Sequence, residues 1–257
     1  MYDYNIKYIS TIMYNSINRL SIILLIILFN CSKTSAQNDN YSDEFLSSTF
    51  KIYYSADKEL SSYMYALVEK RMVNEIKDTA NFYNPYDKLS KYITIKMSPD
   101  KRLKLYCWHE RDFGCHFYTS TYAQFKTQTN NIRTLLLGND NDTGEYDSHL
   151  YLSQLHQIQI NNKTHYLIIG YGGHCGNKKY QCARVYTISN DSIIKTFKVC
   201  AATHRMGELN MTYDSKTKIL SYNEYAFDDD TGFYSDQKSL KQWKLTNKGF
   251  KEIISKN

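Results

Sequence analysis

From residue 91 onward one pattern dominates the chain: apolar residues fall at every second position, in short runs separated by turn residues. Successive side chains of a strand point to opposite faces, so a period of two specifies strands and excludes amphipathic helices. "YITIKM" places Ile93, Ile95 and Met97 on one face, and "RLKLYCW" places Leu103, Leu105 and Cys107 on one face. Between them, "SPDK" has Pro at the second turn position with Asp behind it, which favours a tight turn. The same grammar recurs down the chain. "LYLSQLHQIQI" and "THYLIIG" flank "NNK"; "ARVYTI" and "SIIKTFKV" flank "SND". "LNMTY" and "KILSYNEYAF" flank "DSKT"; "SLKQWKL" and "FKEII" flank "TNKG". Strands joined by turns this short pair antiparallel with their neighbours. The expected fold is mostly β, an antiparallel meander or sandwich, with one N-terminal helix that puts it at the α+β margin. The 25 tyrosines among 257 residues suit such half-buried pleated surfaces.

The helical pattern is confined to residues 57–80, where Leu60, Met64, Leu67, Val68 and Ile76 recur at helical spacing. Ser55 is the expected N-cap, and Asp57 and Glu59 lie near the positive end of the helix dipole. Pro85 disfavours helical geometry at Asn84 and stops the run. Residues 37–56 are rich in Asn, Asp and Ser and read as a tether. Residues 57–257 then form a single β-rich domain.

The first 36 residues have the order of a secretory signal peptide: Lys7 and Arg19, the apolar core "LSIILLIILF", then the small residues of "KTSAQ". Ten apolar residues span about 15 Å of helix, half a bilayer core, so this is no transmembrane anchor. Cys31 directly after the core is a candidate lipidation site, the only route to a membrane foreseen here. Export places the chain in the periplasm, at the outer membrane or outside the cell. Without this segment the net charge falls from +6 to +4, by loss of Lys7, Arg19, Lys33 and Asp3. The remaining cations are dispersed, and nucleic-acid binding would need a concentrated stripe. The densest run, "KRLK" at 101–104, reads as a solvated sheet face.

In an oxidising compartment the five remaining cysteines, 107, 115, 175, 182 and 200, should pair and leave one over. "GYGGHCGNKKYQC" holds four of the ten glycines and two cysteines, and reads as a bent loop bridged at its ends by Cys175 and Cys182. Cys107 with Cys115 is a parallel case, and a long-range link such as Cys107–Cys200 is the competitor. A metal reading would gather His109, Cys115, His116, His174, Cys175 and Cys182, but the spacings do not match a C-x2-C pair or H-E-x-x-H. Cys175 beside His174 is no dyad, because neighbours on a strand point apart. No metal or other cofactor is expected. "GNDNDTGEYD" and "FDDDTGFYSD" lack the full calcium-loop pattern and read as solvated turns. Tyr106 and Trp108 share a strand face. With His174 they could form a ligand surface, or else a second packed layer beneath the N-terminal helix.

"SPDKRLKLYCW", followed by "HLYLSQLHQIQINNKTHYLIIGYG", resembles a group of uncharacterised exported proteins of Gram-negative bacteria over about residues 91–200. That resemblance implies an N-terminal helix on a β-rich body and carries no catalytic residue with it. "SPDK" also resembles the "SPDG" turn of periplasmic β-propeller blades, but a propeller needs several copies. A weak internal echo links "KMSPDKRLKLYCWHERDFG" to "MTYDSKTKILSYNEYAFDDDTG", about 115 residues later. The functional expectation is a non-enzymatic binding or envelope-associated module for a glycan, a peptide or an envelope protein. The alternative is a metal- or cysteine-dependent hydrolase using loops 109–116 and 170–182.

Overall fold

The computed structural model describes residues 41–111, 118–137, 150–174, 178–204 and 207–254. The chain divides into two compact units, residues 1–45 and 46–257. In the first, residues 41–45 are helical, and the Tyr41 and Phe45 rings stack 6.2 Å apart.

The second unit opens with helix α1 over residues 46–55, where a tether was expected. Leu46, Phe50 and Tyr53 are spaced four and three apart, so they share one face, and all three are buried. The polar residues around them masked that stripe. Helix α2 spans Lys58–Lys77. Its N-cap is Asp57 rather than Ser55: the carboxylate accepts from Leu60 N at 2.8 Å. Its buried stripe is Ser61, Val68, Met72 and Ile76, while Leu60 and Leu67 face outward. Asp78 ends it, 3-10 turns follow at Thr79–Tyr83 and Leu89–Lys91, and Asn84 is extended before Pro85.

Among the described residues twelve strands follow, in three four-stranded antiparallel sheets, each with its strands in chain order. Sheet 1 holds β1 (Thr94–Met97), β2 (Leu103–His109), β3 (Thr119–Lys126) and β4 (Ile132–Leu136). Sheet 2 holds β5 (Tyr151–Ile160), β6 (Lys163–His174), β7 (Lys178–Ser189) and β8 (Ser192–His204). Sheet 3 holds β9 (Thr212–Asp214), β10 (Ile219–Asp228), β11 (Phe233–Thr246) and β12 (Gly249–Glu252). The meander expected from the alternation is therefore made three times over. The internal echo falls on equivalent places: its two copies are the opening hairpins of sheets 1 and 3.

Three apolar clusters fix the layering. Phe50, Val68, Met72 and Ile76 from the helices pack with Tyr106 and Trp108 on one face of sheet 1. Leu103, Leu105, Cys107 and Phe125 on the other face meet Leu152, Tyr166 and Ile168 of sheet 2. The far face of sheet 2, with Leu167, Ile169 and Val185, meets Met211, Leu220, Tyr222 and Leu245 around sheet 3. Sheets 1 and 2 are thus covered on both faces, which explains why every residue of β2 from Leu103 to Trp108 is buried, Lys104 included.

This layering corrects several expectations. Of the two readings of Tyr106 and Trp108 the packed layer beneath the helices holds: both are fully buried there and present no ligand surface. Lys104 belongs to no solvated face: it is 2% exposed. Its ammonium donates to Phe82 O at 3.2 Å and to Asn84 O, and lies 4.7 Å and 5.1 Å from the Tyr86 and Tyr106 ring centroids. Burial pushes Lys104 down to about 8, while the carbonyls and ring faces favour its charged form. "GYGGH" is no bent loop but the end of strand β6. Its glycines permit close approach instead: a Cβ on Gly172 would lie 2.2 Å from the ring of its cross-strand partner Tyr180.

Candidate functional site

The cysteines resolve differently from the expected staples. Cys182 and Cys200 sit directly opposite in the β7–β8 ladder and form a disulfide. Cys182 is therefore not available to Cys175, nor Cys200 to Cys107. Cys107 is a free, buried thiol, so the Cys107–Cys115 staple is also absent. Thr121 Oγ1 and Leu152 N donate to its sulfur at 3.2 Å and 3.3 Å, and burial raises its pKa. A thiol so placed is a packing group, not a nucleophile. Cys31, Cys115, His116 and Cys175 lie outside the described residues, as does the side chain of His174.

The strand ends that carry the His/Cys-rich loops do approach one another. The His109 ring lies 5.9 Å from Tyr151, and Tyr151 lies 5.4 Å from Tyr171. His109 also packs 5.1 Å from Tyr54, and burial with the nearby Arg111 charge lowers its pKa. Arg111 is tied to α1: its Nη1 donates to Tyr54 O at 2.6 Å, and its N–H donates to Tyr53 Oη at 2.7 Å. Next to it, burial and the Glu69 carboxylate push Glu110 up to about 7. Glu69 in turn accepts from Ser120 Oγ at 3.1 Å, and Ser120 Oγ pairs with Tyr65 Oη at 2.7 Å. These contacts fasten α2 to β3. Among the described residues no three His, Cys, Asp or Glu side chains gather as a metal would require.

The better-formed site lies elsewhere, where the end of β8 meets the β10–β11 hairpin. A cleft of about 400 Å³ is lined there by Thr203, His204, Tyr225, Phe233, Tyr234 and Asp236. Such a volume is within the range of small-ligand sites, about 300–1,000 Å³. Register brings Phe233 and Tyr234 opposite Asp228 and Phe227. Phe227 and Phe233 are each about half exposed, and the Phe227 and Tyr234 rings meet edge to face at 5.1 Å. With Tyr234 and His204 these rings form one contiguous aromatic patch rather than scattered exposed side chains.

The polar groups of the cleft are held in fixed orientations. Tyr234 N donates to His204 Nδ1 at 3.2 Å, so Nε2 carries the proton of the neutral ring and is a donor. The imidazole lies 5.2 Å from Phe233 and 5.1 Å from Tyr234. Tyr225 Oη accepts from Glu208 N at 3.1 Å and donates to Glu208 O at 3.3 Å, which pins the 207–211 segment over β10. Met211 N donates to Gln181 Oε1 at 2.8 Å and ties the same segment to β7. Only glycine fits at 207, since a Cβ there would lie 2.1 Å from Thr203 Oγ1. Lys178 Nζ lies 5.9 Å over the Tyr234 ring. The cleft therefore offers ring faces beside one carboxylate, one imidazole donor and the hydroxyls of Thr203 and Ser235. It can hold a ring-shaped polar ligand by stacking and hydrogen bonds.

In the sequence this site lies partly within "FDDDTGFYSD", read above as a solvated turn. The turn itself is that: Asp228 Oδ1 accepts from Asp230 N at 3.0 Å. What was missed is that Phe233 stays exposed and that it and Tyr234 face His204, 29 and 30 residues away. No protein-family model, curated protein or solved structure matches this chain. No described helix is long and apolar enough to cross a membrane.

Proposed function

We propose that this protein is an exported, non-enzymatic binding module and that its ligand is a glycan. The observation that carries this reading is the 400 Å³ cleft with half-exposed Phe233 beside the fixed His204 donor and the Asp236 carboxylate. Sugar rings present a C–H face that stacks on aromatics and hydroxyls that pair with carboxylates and imidazoles. Export is supported by the basic, apolar, small order of residues 1–36 and by the Cys182–Cys200 bridge, which an oxidising compartment maintains.

The test is calorimetric titration of the purified exported chain with uncharged oligosaccharides, chitotetraose and cellotetraose. The expected result is saturable binding that Phe233→Ala weakens about tenfold, a loss of about 1.4 kcal/mol. Binding unchanged in Phe233→Ala, or no heat from either sugar, defeats the glycan assignment. Finding the chain in the cytoplasm with residues 1–36 still attached defeats export.

A further inference from the structure

A second cleft, of about 490 Å³, lies at the opposite ends of the strands, where the β5–β6 and β7–β8 turns meet the start of β2. Its wall differs in charge from the first. Arg102, Lys163 and His165 line it, with Gln128, Thr187 and Ser189, and no Asp or Glu is among its lining residues. We propose that this cleft binds a small hydroxylated oxyanion, a sugar bearing a phosphate or a carboxylate.

The cationic groups are placed by local structure. Arg102 sits directly after the "SPDK" turn, and its Nη2 donates to Lys126 O at 3.2 Å and Thr127 O at 3.0 Å. Those bonds hold the guanidinium in place and leave Nη1 and Nε without an acceptor among the described residues. A guanidinium held in place loses little entropy when it meets an oxyanion, and its hydrogen bonds to an ionised acceptor are the strong kind. Lys163 follows the Asn161–Asn162 turn, whose two residues both take positive φ, 50° and 59°. Its ammonium makes no hydrogen bond or ion pair within the described residues. The turn is itself held by Asn161 N donating to Asn247 O at 2.8 Å.

His165 supplies the preference for a hydroxyl. It is 8% exposed, and its Nδ1 lies 3.0 Å from Lys163 O. A carbonyl only accepts, so Nδ1 carries the proton and Nε2 of the neutral ring is an acceptor. A bare dianion would find that atom repulsive, whereas a ligand hydroxyl donates to it. Thr187 and Ser189 add hydroxyls to the same wall.

The acidic groups nearby are already engaged. Asp100 accepts from Ser98 Oγ at 2.6 Å, Arg102 N at 3.2 Å and Tyr166 Oη at 2.8 Å. Asp191 on the β7–β8 turn pairs with Arg133 at 3.6 Å. Asp100 keeps its charge, since its donors are neutral, but it lies behind Tyr166 rather than on the wall. Arg102 and Lys163 outnumber it, and the balance at the cleft is one positive charge.

Three ligands separate the outcomes in calorimetric titrations at low salt: glucose 6-phosphate, glucuronate and glucose. Binding of either anion at least about tenfold tighter than glucose supports the proposal, and the tighter anion identifies the source. Lys163→Gln should weaken that binding about tenfold and leave the thermal midpoint unchanged, because the Lys163 side chain holds nothing else. Arg102→Gln should weaken it more, with some loss of stability from the two carbonyls it releases. Raising salt from about 50 mM to about 500 mM should weaken binding further. Absence of heat from both anions overturns the proposal. So does glucose binding as tightly as the anions, or parental affinity in a folded Lys163→Gln. Run in the Phe233→Ala background, which disables the other cleft, these titrations read this cleft alone, so the two readings fail independently.

Discussion

Sheet 1 and sheet 3 begin with the same kind of hairpin and end in opposite circumstances. In β2 the residues from Leu103 to Trp108 are all buried, because helices cover one face and sheet 2 covers the other. In β11 the residues from Phe233 to Leu240 are exposed or half-exposed, since sheet 3 is the last layer and β12 pairs only with residues 243–246. The same period-two alternation thus gives a core strand in one place and an open, aromatic-bearing ribbon in the other. Coverage, not pattern, separates the part of the molecule that holds the fold from the part free to hold a ligand.

If that contrast is right, truncations should act unequally. Trp108→Ala should cost about 3–5 kcal/mol in urea unfolding, the usual range for removing a buried aromatic. Phe233→Ala should stay within about 0.5 kcal/mol. Comparable losses at the two positions would mean that sheet 3 is covered in solution.

The disulfide is the next largest expected effect. Cys182–Cys200 closes a separation of 18 residues within sheet 2. Cys200→Ser should cost about 3 kcal/mol by the loop-entropy relation, measured by chemical unfolding against the oxidised parent. Peptide mapping without reductant should return the Cys182–Cys200 pair and leave Cys107 unmodified until the protein is unfolded. Labelling of Cys107 in the native state would break the contrast between a sealed sheet 1 and an open sheet 3.

A smaller effect depends on pH. Lys104 falls from its ordinary 10.5 to about 8 in the fold. Between those values the unfolded chain holds a proton that the folded chain has released, so stability rises with pH through that window and is lost as pH falls back through 8. Relative to Lys104→Met, the parent should gain about 2 kcal/mol between pH 8 and pH 10. Above pH 10 the buried Tyr86 and Tyr106 act in the other direction, because burial raises both and the unfolded chain ionises first. A flat difference between parent and variant from pH 8 to pH 10 would mean that the two carbonyls and the ring faces fully offset the burial of Lys104.

Much of the architecture was legible in local pattern. The hairpins at "SPDK", "NNK", "SND", "DSKT" and "TNKG" all join adjacent antiparallel strands. Turn chemistry and two-residue alternation act over a few neighbours, so they can be read from a chain alone. The helix at residues 46–55 was hidden because three apolar residues were diluted by polar ones. The cysteine pairing was misjudged for a related reason. Nearness in sequence suggested Cys175 for Cys182, whereas the register of β7 on β8 places Cys200 opposite it. Neither cleft was visible at all, since each combines residues from at least two hairpins.

The sequence alone determined the strands, their turns and their antiparallel order, because backbone sterics and side-chain alternation are local. Only the tertiary structure decided which alternating face met another layer and which met water. That choice buried Lys104 and Trp108, exposed Phe233, and set Arg102, Lys163 and His165 around one cavity. Burial is a property of the stack of sheets, and no stretch of residues carries it by itself.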